Sequence, residues 1–343
     1  MRAFCLFVWV TGCQPIPHPA DEVPDAAGDV EKADEGDLVA GPDFCSATDP
    51  RAVGVEIVAT PEAGEQPYLD ALDSAQSSIR VEIYEMGFGG ILDQLTAKAA
   101  ASVQVRVIFD QSKKSINQKY YDQLLAAGAE VKWSDPQFTF QHAKVCVVDD
   151  RVAVISTGNY SKSYSITLER NFVATDRDPA DLSDLVALFD ADWAGTAPTL
   201  ACTRLVVSPI NARPRILDLI ASAQTTLTIE SMQFADTNVR QAVAARVTAG
   251  VEVRVMLAEP SWIDANADAA MFLKGLGVSV KSIPHLHTKV IVVDGARAYL
   301  GSENLSFTSL DRNREVGLIV TDATSISPLT TTFEKDWNVG VDL

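Results

Sequence analysis

The chain of 343 residues consists largely of two similar halves. Four pairs of segments match between them: "DSAQSSIRVEIYEMGF" at 73–88 with "ASAQTTLTIESMQF" at 221–234, "ASVQVRVIFD" at 101–110 with "AGVEVRVMLAE" at 249–259, "HAKVCVVDD" at 142–150 with "HTKVIVVDG" at 287–295, and "LFDADW" ending at Trp193 with "TFEKDW" ending at Trp337. The members of a pair lie 144 to 148 residues apart. Such a repeat predicts a duplicated domain. We expect the halves to pack with approximate two-fold symmetry and to contribute one set of groups each to a shared site.

Helix-like and strand-like segments alternate within each half. Segments 67–76 and 91–101 have the composition of helices, whereas 79–83 and 103–109 are runs of β-branched and apolar residues. This alternation predicts an α/β domain with a largely buried sheet covered by helices. An apolar fraction of 47% is enough for a sizeable core.

The amino-terminal region differs from the rest of the chain. The segment "MRAFCLFVWVTGC" is typical of a bacterial lipoprotein signal that ends in a lipidated Cys13, with an unprocessed apolar leader as the alternative. The following residues are rich in Pro, Ala, Asp and Glu and predict a disordered acidic tether. We therefore expect a protein of the bacterial cell envelope that is lipid-anchored or exported. The predicted parts are a signal at 1–13, a tether at 14–50, a first repeat at 51–198 and a second repeat at 199–343.

The five cysteines have different expected roles. Cys13 would carry lipid, and Cys146 lies in an apolar run that is typical of a buried strand. In an exported protein a disulfide between Cys45 and Cys202 is reasonable. Closing so long a loop would stabilise the fold by roughly 5 kcal/mol in the entropic model.

The charge balance argues against a protein that binds nucleic acid over its whole surface. The chain has 46 acidic and 28 basic residues, a formal charge of −18, whereas phosphate contacts need clustered Lys and Arg. Ten of the acidic residues lie before Pro50, so a locally positive cleft remains compatible with this balance.

Chemically useful residues recur at matching offsets from one histidine in each half. The two sets are His142, Lys144, Asp149, Asn159 and Glu169, and His287, Lys289, Asp294, Asn304 and Glu315. The nearby His285 corresponds to Phe140 in the first half, so we interpret it as a bystander. Because Asp149 and Asp294 lie at odd spacing along a strand from the histidines, we expect them to point away and brace the backbone, although they complete the candidate catalytic set.

A histidine and a lysine side by side make a poor metal site, because an ammonium group offers no lone pair. No metal or other cofactor is predicted. The same groups suit a phosphoryl group, whose oxygens can be held by cations and by amide and hydroxyl donors. The candidate phosphate-binding residues are Lys144, Lys289, Asn159, Asn304, Thr157 and Ser302.

The two histidines can take complementary tasks. One neutral imidazole can attack phosphorus, and one protonated imidazole can give its proton to the leaving alkoxide. We expect Glu169 and Glu315 to bind the far ring nitrogens of the histidines and fix their tautomers. Glu82 and Glu230 also match between the repeats, and structural hydrogen-bond acceptors or substrate contacts are equally open roles for them.

Together, "HAKVCVVD…STGNYS…LERN" and "HTKVIVVD…GSENLS…NREV" resemble the paired histidine-lysine-aspartate motifs of the phospholipase D superfamily. The resemblance implies a duplicated α/β fold, with two mixed β-sheets flanked by helices in a pseudo-two-fold sandwich. It also implies metal-independent phosphodiester transfer through a covalent phosphohistidine. The first motif's histidine is often the nucleophile in this family, which favours His142 with His287 as the acid. One departure is Ser156, which replaces the glycine found at Gly301 and suggests a modified phosphate loop.

The resemblance leaves the substrate open, because the superfamily includes phospholipases, cardiolipin synthases and nucleases. An acidic, lipid-anchored chain favours an enzyme of the phospholipase D type that hydrolyses or transfers phospholipid headgroups at a membrane surface. We expect a monomer, because both motifs lie in one chain. The alternatives are a cardiolipin synthase-like phosphatidyl transferase, an endonuclease acting on DNA or RNA, and an inactive lipid-binding protein of the envelope.

Two loops point to different substrates. The segment "DQSKKSINQKYYD" at 110–122 interleaves lysines with tyrosines as nucleic-acid grooves do, and the start of a solvated helix explains it at least as well. The matching segment "EPSWIDANAD" at 259–268 is acidic and offers Trp262, an apolar contact better suited to a lipid. We therefore favour lipid over nucleic acid.

Overall fold

A computed structural model describes residues 46–343, all of which belong to one compact unit. The signal at 1–13, Cys13, Cys45 and most of the tether lie outside the described residues, and their predictions stay predictions. Cys202 is disulfide-bonded, but its expected pairing with Cys45 is not among the described contacts. No helix within residues 46–343 is long and apolar enough to cross a membrane.

The first half forms a seven-stranded sheet with the strand order β1-β7-β6-β5-β2-β3-β4. Its strands are β1 (Glu56–Thr60), β2 (Ser78–Ile83), β3 (Gln104–Phe109), β4 (Glu130–Trp133), β5 (Lys144–Val148), β6 (Val152–Ser156) and β7 (Asn171–Asp176). Its helices are α1 (Gln66–Asp73), α2 (Gly90–Ala100), α3 (Lys114–Ala126) and α4 (Pro179–Ala194), with a 3₁₀ turn at Gln111–Lys113 and a π-helical turn at Lys162–Ile166.

The second half repeats this plan in an eight-stranded sheet, β15-β11-β10-β9-β12-β13-β14-β8. Its strands are β8 (Leu205–Ser208), β9 (Thr226–Ser231), β10 (Glu252–Leu257), β11 (Ser279–Ser282), β12 (Lys289–Val293), β13 (Arg297–Gly301), β14 (Glu315–Val320) and β15 (Val341–Asp342). Its helices are α5 (Ala212–Ala221), α6 (Thr237–Thr248), α7 (Ala265–Gly275), α8 (Phe307–Asp311) and α9 (Ala323–Val339). Apart from the added β15, the strand order is the same in both halves.

Both sheets are mixed. β2, β3 and β4 run parallel to one another, as do β9, β10 and β11, and the remaining pairs are antiparallel. The helices predicted at 67–76 and 91–101 correspond to α1 and α2, and the predicted strands correspond to β2 and β3. The alternating pattern therefore located these elements to within a few residues.

The two sheets pack face to face through a shared core. This central cluster joins side chains of β5 and β7, such as Val145 and Phe172, to side chains of β12 and β14, such as Val290 and Leu318, and α4 and α9 line it. A separate cluster under α1–α3 covers the outer face of the first sheet and contains the buried Cys146. A third cluster under α5–α7 covers the second sheet. The duplicated sandwich is thus confirmed, and it brings corresponding ends of β5 and β12 to the interface.

Candidate active site

Each motif histidine is held by the backbone of the other half. β5 and β12 begin at the motif lysines, so the histidines stand two residues before each strand. The His142 N–H donates to the Arg314 carbonyl (2.8 Å), and the His287 N–H donates to the Arg170 carbonyl (3.0 Å). The site therefore lies across the interface, as the repeat predicted.

The two arginines beside the histidines form reciprocal ion pairs between the halves. Arg314 binds Asp192 on α4 through two contacts of 2.7 and 2.9 Å, and Arg170 binds Asp336 on α9 through contacts of 2.7 and 3.1 Å. Bidentate guanidinium–carboxylate pairs fix direction as well as distance. Asp192 and Asp336 are the residues before tryptophan in the matched "DADW" and "EKDW" segments. Sequence reasoning found this repeat but missed its role.

We expect Asp192→Asn to lower the free energy of unfolding by about 3–5 kcal/mol, because it leaves the Arg314 guanidinium buried without its counter-charge. Urea unfolding measures the effect. Glu334→Gln, which breaks the solvent-exposed pair with Arg254, is the control and should cost less than about 1 kcal/mol. Equal, small losses in both variants would contradict the role of the interface pair.

His142 binds an ionised carboxylate from the second half. Its Nδ1 lies 2.7 Å from Glu315 Oε2, and Glu315 Oε1 accepts from Ser309 Oγ (2.6 Å) and Asn313 Nδ2 (3.0 Å). Burial raises the pKa of Glu315, but His142, Lys144 and the Ser302 hydroxyl outweigh it and hold the pKa below its usual range. His142 therefore donates from Nδ1, which leaves Nε2 with its lone pair.

The buried His142 ring is neutral at pH 7. Burial is the largest influence and lowers its pKa to about 4; Lys144 and Lys289 act in the same direction, and Glu315 acts against them. The Tyr84 ring packs edge-to-face on the imidazole at 4.6 Å. A neutral, oriented imidazole with a free Nε2 is the form that attacks an electrophile.

His287 has a different partner from the one predicted. Its Nδ1 lies 2.9 Å from Asn171 Oδ1, whereas the Glu169 carboxylate is 3.9 Å away, beyond hydrogen-bonding distance. The described hydrogen bond to this ring nitrogen thus comes from Asn171, and the place of Glu169 in the candidate catalytic set stays a prediction. Asn171 and Glu315 are the first residues of β7 and β14 and occupy the same place in their sheets. Comparing distances along the chain from the two histidines did not reveal this correspondence, because the segment from His142 to Asn171 is one residue longer than the segment from His287 to Glu315.

Both motif lysines are buried beside the histidines. Lys144 Nζ donates to the His142 carbonyl (2.6 Å), and Lys289 Nζ donates to the His287 carbonyl (2.9 Å) and lies 3.4 Å from His287 Nε2. Two buried ammonium groups therefore lie beside the histidines in a chain that is acidic overall. Asn159 and Asn304 are buried in the loops that follow β6 and β13, and their role as phosphate ligands stays a prediction.

The hydroxyl groups of Thr157 and Ser302 form hydrogen bonds with the residues that contact the two histidines. Thr157 Oγ1 donates to Asn171 Oδ1 (2.9 Å), and the Ser302 hydroxyl bonds to Glu315. Both hydroxyls therefore position the residues that contact the histidines, and their predicted contact with phosphate stays a prediction.

The motif aspartates lie at the far ends of β5 and β12. The Asp149 carboxylate accepts the backbone N–H groups of residues 76–78 at 2.7–2.8 Å, and Asp294 accepts those of 224–226 at 2.8–3.0 Å. These bonds overcome burial and lower both pKa values to about 2. Both residues brace the backbone as the spacing predicted, and their place in the candidate catalytic set is corrected accordingly.

The Ser156 departure is compensated by packing. Ser156 Oγ accepts from Tyr68 Oη (2.8 Å) and from the Gly158 N–H (2.9 Å). At Gly301, an added Cβ would lie 2.5 Å from the Gly317 backbone and 2.6 Å from Glu303 Oε2. Each half fills the same space differently, so the substitution reflects core packing rather than a changed phosphate loop.

His285 contributes its backbone. Its carbonyl accepts the Arg170 N–H (2.9 Å), and the Phe140 carbonyl accepts the Arg314 N–H (2.8 Å) in the corresponding place. His285 also has a positive φ of 57°. Within residues 46–343, no group of three or more His, Cys, Asp or Glu side chains is arranged to hold a metal ion.

Glu82 and Glu230 are buried beside the interface ion pairs. Glu82 accepts from Gln141 Nε2 (2.7 Å), and burial raises its pKa well above the usual range. Burial also raises the pKa of Glu230 to about 8. Burial thus favours the uncharged form of both carboxyls.

A family model described as "Cardiolipin synthase, PLD-like domain" matches the chain twice, at residues 68–193 and 216–337. The chain belongs to the phospholipase D superfamily. The two matches coincide with the two halves of the sandwich, so each supplies one histidine-lysine motif to the interface. The resemblance of the motifs is thereby confirmed.

Relatives in the superfamily align over most of the chain. The probable cardiolipin synthase YwiE of Bacillus subtilis is 26% identical over 330 residues, which cover 80% of this chain and 64% of that protein. The cardiolipin synthase of Clostridium perfringens strain SM101 is 24% identical over 327 residues, covering 80% of this chain and 68% of that protein. The chain thus spans about two thirds of the length of these relatives.

Solved structures share the fold. Phosphatidylserine synthase of Haemophilus influenzae superposes with a TM-score of 0.65 at 14% identity, covering 86% of this chain and 88% of that one. A polyphosphate kinase of Porphyromonas gingivalis gives a TM-score of 0.66 at 17% identity, covering 83% and 47%. At these identities the likeness concerns the fold alone.

Proposed function

We propose that the chain is a phosphatidyl transferase of the phospholipase D superfamily that works through a covalent phosphohistidine on His142. The observation that carries this proposal is the buried pair of His142 and Glu315, in which an ionised carboxylate holds a neutral imidazole with Nε2 free. The same centre contains His287 for proton transfer and two buried ammonium groups for phosphate.

In the first step, His142 Nε2 forms a bond to phosphorus while the bond from phosphorus to the leaving alcohol's oxygen breaks. Protonated His287 gives its proton to that oxygen. In the second step, a new alcohol loses its proton to neutral His287 and attacks phosphorus, and the phosphorus–nitrogen bond breaks. Both histidines return to their starting states.

The lysines stabilise the phosphoryl oxygens as charge builds on them. Lys144 and Lys289 are fully buried, so their attraction to an anion is less screened than at a surface. The same two cations lower the pKa of His142 and keep it ready to attack.

Phospholipid is the substrate that the surroundings of the site favour. Leu168 and Phe307 are 43% and 50% exposed, and they lie one and three residues along the chain from Glu169 and Asn304. Exposed apolar side chains beside a reactive centre suit acyl chains. The proposed cell-envelope location, with a lipid anchor at Cys13, would place these side chains near phospholipid.

The segment 110–122, which suggested a nuclease, forms the start of α3, and its tyrosines pack within the fold. Tyr120 is buried, and Tyr121 stacks on Trp133 and donates to the Val131 carbonyl (2.8 Å). Lys113 pairs with Glu85. Base stacking would need exposed rings, so this segment supports the nuclease alternative less than its composition indicated.

Transfer rather than hydrolysis is favoured by the relatives, whose names are cardiolipin synthases. Cardiolipin carries two phosphatidyl groups on one glycerol. Attack of a phosphatidylglycerol hydroxyl on a phosphatidyl-histidine would therefore form it. This proposal replaces headgroup hydrolysis as the main expectation.

Vesicles of phosphatidylglycerol, incubated with the full chain in EDTA, test the proposal. We expect cardiolipin and glycerol to appear in equal amounts. Phosphatidic acid as the main product would show a hydrolase. Cleavage of single-stranded DNA without action on lipid would show a nuclease, and no turnover of any phosphodiester would show a binding protein.

A further inference from the structure

The two histidines meet different side chains because two residues exchange places between the halves. The first half has Glu169 and Asn171, whereas the second half has Asn313 and Glu315 at the corresponding positions. Within each pair the amide nitrogen faces the carboxylate, at 3.4 Å in the first half and 3.0 Å in the second. His142 therefore contacts a carboxylate, and His287 contacts an amide oxygen.

The orientation of the Asn171 amide is fixed by its neighbours. Nδ2 donates to the Ser165 carbonyl (3.1 Å), which can only accept. Oδ1 accepts from Thr157 Oγ1 (2.9 Å), and that hydroxyl oxygen in turn accepts the Phe172 N–H (3.0 Å). The amide oxygen must then face His287. Since this oxygen has no proton to give, its 2.9 Å contact places a proton on His287 Nδ1 in preference to the longer approach of Lys289 Nζ (3.2 Å). In the neutral ring the lone pair is then on Nε2, 3.4 Å from the same ammonium group.

We propose that Asn171 is the positioning residue of His287, and that its uncharged amide makes His287 the proton-transfer group while Glu315 makes His142 the nucleophile. The assignment of roles rests on the proposed function. The tautomer of His287 follows from the geometry and does not depend on the substrate.

An uncharged partner suits proton transfer in both directions. A carboxylate at 2.9 Å would stabilise the imidazolium and slow release of its proton to the leaving group. The amide holds the ring in the same orientation without adding that charge. The charged groups that face His287 are Glu169 at 3.9 Å, which favours protonation, and Lys289, 3.2 Å from Nδ1, which opposes it. Trp262 covers the ring at 6.2 Å.

Nitrogen-15 NMR of histidine-labelled full-length protein tests the proposal. The chain has four histidines, so His287→Gln identifies the His287 signal. In the wild-type protein we expect neutral His287 to carry its proton on Nδ1. Asn171→Asp should raise the pKa of His287 by about one pH unit or more, because it adds a charge at hydrogen-bonding distance. Thr167→Asp adds the same charge on an exposed loop position and should leave the pKa of His287 within about 0.3 pH unit of wild type.

A proton on Nε2 of neutral His287 would overturn the proposal, and this measurement is made on the wild-type protein once His287→Gln has assigned the signal. An Asn171→Asp shift no larger than the Thr167→Asp shift would overturn it as well. If the enzyme works on phospholipid, Asn171→Asp should also move the alkaline limb of its pH–rate profile upward by about the same amount. Failure of the proposed function would abolish that rate but leave the NMR result unchanged.

Discussion

His142→Ala is expected to lower phosphatidyl transfer by roughly 10⁵-fold or more, because no other group in the site can replace a lost nucleophile. His287→Ala should lower transfer by about 10²–10⁴-fold, the usual contribution of a general acid and base. The two variants should differ with a p-nitrophenyl phosphatidyl ester, whose leaving group needs no proton. His287→Ala should still release about one nitrophenolate per enzyme molecule in a rapid burst, and His142→Ala should release none.

His285→Asn is the matched control for both histidines. Asparagine tolerates the positive φ of His285 and keeps the carbonyl that binds Arg170. We expect transfer within about threefold of wild type, within the range of an ordinary surface substitution. A loss comparable to that of the motif variants would show that the His285 ring takes part, and a burst from His142→Ala would contradict the nucleophile assignment.

Glu315→Gln is expected to lower transfer by about 10⁴-fold, the loss seen when an amide replaces the aspartate of a serine-protease triad. Ser309 and Asn313 both donate to Oε1, so the amide oxygen of glutamine would take that place. Its NH₂ group would then face His142 and donate to Nδ1. The proton of a neutral His142 would move to Nε2 and block the attacking lone pair.

Glu303→Gln is the control for the loss of a buried glutamate. Glu303 lies in the loop after β13 and bonds to Tyr299, and burial raises its pKa well above the usual range, which favours the uncharged form. We expect transfer within about tenfold of wild type, since only a neutral group is exchanged. Steady-state transfer rates measure both variants. Equal losses would mean that Glu315 acts through folding rather than through the tautomer of His142.

Most of the fold could be predicted from the repeat, because the two members of each matched pair of segments occupy the same place in two similar sheets. The repeat showed that His287, and not His285, has a histidine counterpart in the first half. The alternation of side chains along a strand predicted that Asp149 and Asp294 point away from the site. These features depend on local sequence, which a single chain displays directly.

The hydrogen-bond partner of His287 could not be predicted from the repeat. Glu169 and Glu315 are the same residue type and lie at nearly the same distance along the chain from their motif histidines, so comparison of the two halves matched them with each other. The actual register depends on where β7 begins, and Asn171 rather than Glu169 is its first residue. The Glu and Asn residues exchange places between the halves, and the connection in the first half is one residue longer. Neither change produces a periodic pattern in the sequence.

The ion pairs between the two halves could not be predicted from the sequence for a related reason. Arg170, Asp192, Arg314 and Asp336 all lie in repeated segments, but each pair joins residues more than 120 positions apart. Sequence matching shows that two positions correspond, and it does not show which residues touch. Their role emerged only when the two halves were placed face to face.

The central claim is that His142 carries a covalent phosphatidyl group during turnover. Wild-type protein mixed with phosphatidylglycerol, quenched at alkaline pH and mapped by peptide mass spectrometry tests it most directly. We predict one phosphatidyl adduct, on the peptide that contains His142, and its absence in His142→Ala. An adduct on His287, or steady turnover with no adduct on either histidine, would contradict the proposed mechanism.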